Sequence, residues 1–61
     1  MKTSKDFDGD MYEFAKWIYS NGFLVTTEPM GPVVEHTYRV EKDTYTLVID
    51  AGTGKFITVY E

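Results

Sequence analysis

The sequence predicts an α+β domain in which one N-terminal amphipathic helix packs on a four-stranded antiparallel β-meander. Apolar residues first recur every three or four positions, and runs rich in Val, Ile, Thr and aromatic residues follow, separated by turn residues. The chain has 61 residues, close to the lower limit for independent folding. We therefore expect one two-layer domain with element order α-β-β-β-β and strand order 1-2-3-4.

The helix is expected at about residues 4–20. Its apolar stripe, at a period of 3.6 residues, comprises Phe7, Met11, Phe14, Ala15 and Ile18. The end is expected at Asn21-Gly22, because Gly22 is free to take the left-handed conformation that terminates many helices.

Two starts are compatible with the helical pattern. Thr3 and Asp6 have the spacing of a capping box, and Asp10 with Glu13 offers a second, shorter helix. The early start is favoured because Phe7 lies on the apolar stripe.

Four strands are expected, at about residues 23–28, 33–41, 44–50 and 55–60. The first break contains two prolines, which cannot donate to a ladder. Lys42-Asp43 is expected to form a two-residue turn, and residues 51–54 form a loop with two glycines.

The three hairpins predict a common apolar face for the sheet. The expected pairs are Glu28 with Val33, Glu41 with Thr44, and Asp50 with Lys55. In this register the face that the helix should cover holds Phe23, Val25, Val34, His36, Tyr38, Val40, Tyr45, Leu47, Ile49, Phe56 and Tyr60. The opposite face holds Leu24, Thr26, Glu28, Glu35, Thr37, Arg39, Thr46, Val48, Ile57 and Val59.

The opposite face should be bare in a monomer, since one helix covers one side of a sheet. Four of its apolar residues, Leu24, Val48, Ile57 and Val59, are candidates for binding a partner protein or a second copy. Trp17 is a further candidate, because a partly exposed Trp is a common interface anchor. The edge of the fourth strand carries only terminal charges and is weakly protected against pairing.

Composition narrows the class of protein. Ten acidic and six basic residues give a net charge of −4, which disfavours non-specific binding to nucleic acid or anionic membrane. The chain contains no Cys, which fits a reducing, cytoplasmic compartment. We expect no secretory signal and no membrane span, since the apolar stretches are only a few residues long. Small acidic chains of this kind are common among bacterial and phage accessory proteins.

Two motifs resemble ligand-binding loops and fail at named positions. The acidic run at residues 6–10 resembles the start of a calcium loop, but Met11 and Trp17 replace the required Gly and Glu. Residues 52–55 resemble the end of a phosphate-binding loop, but Ile49 and Phe56 replace the required Gly and Ser or Thr. We expect no metal, cofactor or small-molecule site.

Catalysis is not expected. His36 is the single His, and neither Ser4 nor Ser20 is placed to act beside it as a nucleophile. The sequence therefore favours a non-enzymatic protein-interaction module. The alternative is a small nucleic-acid-associated regulator that would use Lys5, Lys16, Arg39 and Lys55 with Trp17.

Overall fold

A computed structural model describes all 61 residues and confirms the predicted α+β fold and strand order. A short 3-10 helix spans Ser4–Phe7 and is followed by one α-helix, α1 (Met11–Asn21). The strands are β1 (Phe23–Pro29), β2 (Val33–Val40), β3 (Asp43–Asp50) and β4 (Phe56–Tyr60), arranged in the order β1-β2-β3-β4. No helix combines the length and the apolar character that crossing a membrane requires.

The predicted early start of the α-helix is wrong, although both proposed caps exist. Thr3 and Asp6 form the capping box, but it caps the 3-10 helix. The backbone then turns through left-handed conformations at Asp8 (φ 56°) and Gly9 (φ 78°). The α-helix begins only after Asp10, whose carboxylate accepts hydrogen bonds from two backbone N–H groups of the first turn.

Gly22 ends the helix for a different reason from the predicted one. Its φ of −115° is not left-handed, so conformational freedom is not what requires glycine here. A Cβ at this position would lie 2.7 Å from the carbonyl oxygen of Arg39 and 2.8 Å from Cγ2 of Val40. The glycine therefore allows the chain to pass directly against the end of β2 as it enters β1.

The core lies between α1 and one half of the sheet. Its seven buried residues are Phe14, Ala15, Ile18, Val40, Tyr45, Leu47 and Val59. Phe7, Met11, Trp17, Tyr38 and Phe56 pack around them. The core therefore draws on the helix, the end of β2, β3 and β4, and no residue of β1 belongs to it.

The β2–β3 hairpin differs from the predicted register by two residues, which preserves the predicted faces. Val40 pairs with Asp43, so the turn is Glu41-Lys42 instead of Lys42-Asp43, with Glu41 at a φ of 56°. His36 then lies opposite Leu47. Because a shift of two residues keeps every side chain on its side of the sheet, the face that the helix covers on these two strands was predicted correctly.

A bulge in β4 reverses the predicted orientation of the last residues. Ile49 pairs with Phe56 as expected, but Val48 pairs with Thr58 and Leu47 with Val59. The extra residue shifts the alternation by one. Val59 consequently lies in the core at 4% exposure, and its predicted place on the bare face is wrong. Tyr60, predicted to face the helix, is exposed instead.

A second irregularity affects β1. Residues 26–29 pair antiparallel with residues 34–37, so that Pro29 is opposite Val34 and Thr26 is opposite Thr37. The register then shifts by one residue, and Leu24 pairs with Tyr38 and Phe23 with Arg39. Leu24 therefore shares the side of Tyr38, and Phe23 shares the side of Arg39, the reverse of the prediction. Val25 is the extra residue.

Candidate interaction surface on strand β1

β1 is an outer strand whose side chains remain outside the core. All seven of its residues are exposed, whereas β2, β3 and β4 each contribute at least one buried residue. The buried side chains of α1 pack in one core with residues of β2, β3 and β4, and no residue of β1 belongs to that core. Both faces of β1 and its outer edge are therefore accessible to a partner.

The accessible side chains of β1 are largely apolar. We define the β1 surface as residues 23–30, the strand together with the residue that follows it. Within it, Phe23, Leu24, Val25 and Met30 each expose between 48% and 60% of their surface. Glu28 is the single charged residue. Exposed large apolar side chains are typical of protein interfaces.

The hydrogen-bonding groups of β1 also point outward. The N–H of Met30 donates to the carbonyl oxygen of Val33 at 2.8 Å. Bonded and non-bonded residues alternate along an antiparallel pair, so the N–H and C=O of Thr27 point away from β2. Pro29 occupies another outward position, where its missing N–H costs no bond within the sheet but leaves no donor for an added strand. Thr27 therefore offers a free donor and a free acceptor to an added strand.

Thr27 also contacts the single histidine through its side chain. Its Oγ1 lies 3.0 Å from Nδ1 of His36, and this is the only hydrogen bond of the imidazole. The predicted register placed Val25 opposite His36, so sequence reasoning missed this pair. A hydroxyl beside an imidazole resembles a nucleophile–base pair, but catalytic pairs also have a third group that orients the base. No carboxylate is hydrogen-bonded to His36.

The predicted cluster on the opposite sheet face is not assembled. Val48 has Glu35 and Thr58 as its cross-strand neighbours, and Val59 is buried on the other side. The side chain of Tyr60 extends across this face, and its hydroxyl donates a hydrogen bond to Oε2 of Glu35 at 2.9 Å. This hydrogen bond raises the pKa of the Tyr60 phenol. This face is therefore mainly polar.

The other predicted candidates lie apart from one another. Leu24 belongs to the β1 surface, while Ile57 lies on the opposite edge of the sheet at 51% exposure. Trp17 is half-buried, with its ring centroid 5.9 Å from that of Phe7 and 6.0 Å from that of Tyr45. It is thus part of the aromatic packing around the core.

Trp17 also lines an open cavity of about 310 Å³ at one end of the sheet. The other lining residues are Met1, Lys2, Asp6, Val40, Glu41 and Asp43. One carboxylate is already engaged, since Asp6 accepts a hydrogen bond from the N–H of Thr3 at 2.8 Å. Nowhere do three or more His, Cys, Asp or Glu side chains converge in a way that could hold a metal ion.

Two of the basic residues, Lys16 and Arg39, lie on opposite outer sides of the domain. Lys16 lies on the exposed side of α1 and contacts Glu13 at 3.1 Å. Arg39 precedes the buried Val40 on β2, so it lies on the sheet face away from the helix. A nucleic-acid site would need these charges to line one path.

Comparison with known proteins does not extend this description. The chain matches no protein-family model, and neither curated proteins nor solved structures include a significant match to it.

Proposed function

We propose that this domain is a small non-enzymatic protein-interaction module that binds a partner by strand addition at β1. In this mode the partner contributes a strand that hydrogen-bonds to the open edge, while side-chain contacts provide specificity. The observation that carries the proposal is that β1 is exposed along its whole length and contributes nothing to the core.

Energetic considerations support this choice of surface. Phe23, Leu24 and Val25 are consecutive and each is about half exposed or more, although only the core side of the sheet needs apolar residues. Burying a large apolar side chain stabilises an assembly by roughly 1.5–3 kcal/mol. A partner strand against β1 would remove part of the surface of all three from water and satisfy the outward groups of Thr27.

The edge strand β4 is the other candidate surface, but most of its side chains already make contacts within the domain. Val59 is in the core, Phe56 contacts the ring of Tyr12 with centroids 5.3 Å apart, and Tyr60 is bonded to Glu35. Ile57 is the one apolar residue of β4 that makes no such contact. The proposal therefore moves the expected interface from the β4 edge to the β1 edge.

The biological setting belongs to the same proposal. The chain is acidic and free of Cys, which fits a reducing compartment such as the cytoplasm of bacteria or of phage-infected cells. In such a setting the domain would act by pairing its β1 edge with a strand of a partner protein.

Val25→Lys should reduce partner binding at least tenfold, because a strand partner would have to desolvate the new ammonium group. A tenfold loss corresponds to about 1.4 kcal/mol. The matched control is Ile57→Lys, since both residues are aliphatic, lie at bulges on outer strands and are 51% exposed. The measurement is quantitative affinity capture from the native cell, followed by titration of the captured protein.

Equal capture by wild type and Val25→Lys would exclude the β1 surface. A selective loss in Ile57→Lys would instead assign binding to β4. Circular dichroism of each variant establishes that the fold is intact before binding is compared.

A further inference from the structure

We infer that the protein which occupies β1 is a second copy of this chain, paired antiparallel with β1 of the first. This inference rests on the proposed function, because it names the partner for the same surface. The product is a two-fold symmetric dimer in which two four-stranded sheets join into one continuous sheet of eight strands.

The distribution of side chains along β1 is self-complementary. Apolar residues lie at both ends of the β1 surface, in residues 23–25 and 29–30, and Thr26 and Thr27 lie between them. A two-fold axis near these threonines places the first apolar end of one copy against the second apolar end of the other. The sequence pattern is thus nearly the same when it is read in reverse, as an isologous interface requires.

Charge does not oppose this pairing, although the chain is acidic overall. Glu28 is the single charged residue in the β1 surface. With the axis at Thr27, Glu28 lies opposite Thr26 of the other copy, and both side chains are on the sheet face away from the helix. In this register the two glutamates do not meet, so the repulsion between like charges across a strand pair is avoided.

The outward backbone groups suit the same arrangement. Thr27 offers both an N–H and a C=O at the open edge, and a second copy presents the identical pair in the reverse direction. Pairing β1 with β4 of another copy would be heterologous, leave one edge open at each end and propagate into filaments. Pairing β1 with itself uses each β1 once and closes the assembly.

The size of the surface fits a reversible dimer. A seven-residue strand is about 23 Å long at 3.3 Å per residue, and the longest dimension of the domain is 30 Å. β1 therefore spans most of one side of the molecule. The domain exposes 4102 Å² in total, of which a standard interface of about 800 Å² per partner would cover roughly one fifth. A strand edge with a few side chains lies at or below that size, so we expect a weak dimer, with a dissociation constant on the order of 100 μM.

Sedimentation equilibrium on the full chain tests the inference, over concentrations from about 10 μM to about 1 mM that bracket such an affinity. The expected average mass rises from the 7.0 kDa of one chain towards twice that value. Val25→Lys should remain at the mass of one chain throughout. Ile57→Lys should behave as wild type. Both substitutions replace exposed residues, and circular dichroism at each concentration establishes that both variants are folded.

A wild-type mass that stays at one chain over the whole range would overturn the inference, as would dissociation by Ile57→Lys alone. The proposed function is separable from this result. If wild type is monomeric while Val25→Lys still loses partner capture, β1 binds a different protein and only the dimer is excluded. If wild type is monomeric and capture is unchanged, both proposals fail.

Discussion

Val59→Asp should leave the domain largely unfolded, whereas Ile57→Asp should leave its stability nearly unchanged. Val59 is 4% exposed and packs in the core beside Leu47, while Ile57 is 51% exposed. An uncompensated buried charge costs about 3–5 kcal/mol. At 0.05–0.15 kcal/mol per residue, a chain of this length has a total stability of only about 3–9 kcal/mol.

Far-UV circular dichroism and urea denaturation of the two variants provide the measurement. Val59→Thr is a useful third variant, because it keeps the shape of the side chain and should retain the fold with a smaller loss. Without the bulge in β4, Ile57 and Val59 would share the exposed face and both aspartates would be tolerated. A folded Val59→Asp protein of normal stability would therefore contradict the register of β4.

Gly22→Ala should destabilise the domain by about 1–3 kcal/mol, the range for overpacking a site that cannot relax freely. The added Cβ would lie 2.7 Å from the carbonyl oxygen of Arg39 and 3.0 Å from that of Ile18, and both atoms belong to backbone in regular structure. The cost is steric, because the φ of −115° is accessible to alanine.

Thermal unfolding of Gly22→Ala should show a midpoint lower by about 4–8 °C for each kcal/mol lost. Gly52→Ala is the matched control, since its Cβ would meet only a side-chain oxygen of Asp50, at 3.3 Å. Its midpoint should fall much less. If both variants melt alike, close approach of β2 is not the reason for glycine at position 22.

The sequence predicted the faces of the two inner strands, which pair with each other without a bulge. In β2 and β3 the alternation assigned every residue to the correct face, even though the turn was misplaced by one residue. This is because a two-residue shift in pairing does not change which side a side chain faces. The helix end at Gly22 was also predicted, although for a different physical reason.

The prediction failed on the two outer strands, each of which contains a bulge as well as adjacent apolar residues. β1 begins with three consecutive apolar residues at 23–25, and β4 has apolar pairs at 56–57 and 59–60. Either alternation puts apolar residues on the core face, so the pattern cannot choose between them. In each of these strands a bulge determines which face a side chain occupies. As a result, Leu24 and Phe23 have exchanged faces relative to the prediction, and so have Val59 and Tyr60.

The candidate surface was predicted only in part. Leu24 is exposed, as expected, but it lies on the other side of the sheet from the one predicted, and the interface itself was expected at the β4 edge. Which edge remains bare depends on the placement of the helix, whose buried side chains pack against core residues of β2, β3 and β4 but none of β1. The length and direction of α1 are tertiary features, and the incorrect early start made the helix seem longer than it is.

Amide hydrogen exchange at Thr27, measured by NMR at low and high protein concentration, tests the central claim most directly. In a monomer this N–H has no partner in the sheet and should exchange rapidly. In the proposed dimer it donates across the two-fold axis, so its exchange should slow as concentration rises, while the amides of the loop at residues 51–54 stay unchanged. If Thr27 exchanges equally fast at both concentrations, or if the amides of β4 slow in its place, β1 is not the surface on which this protein assembles.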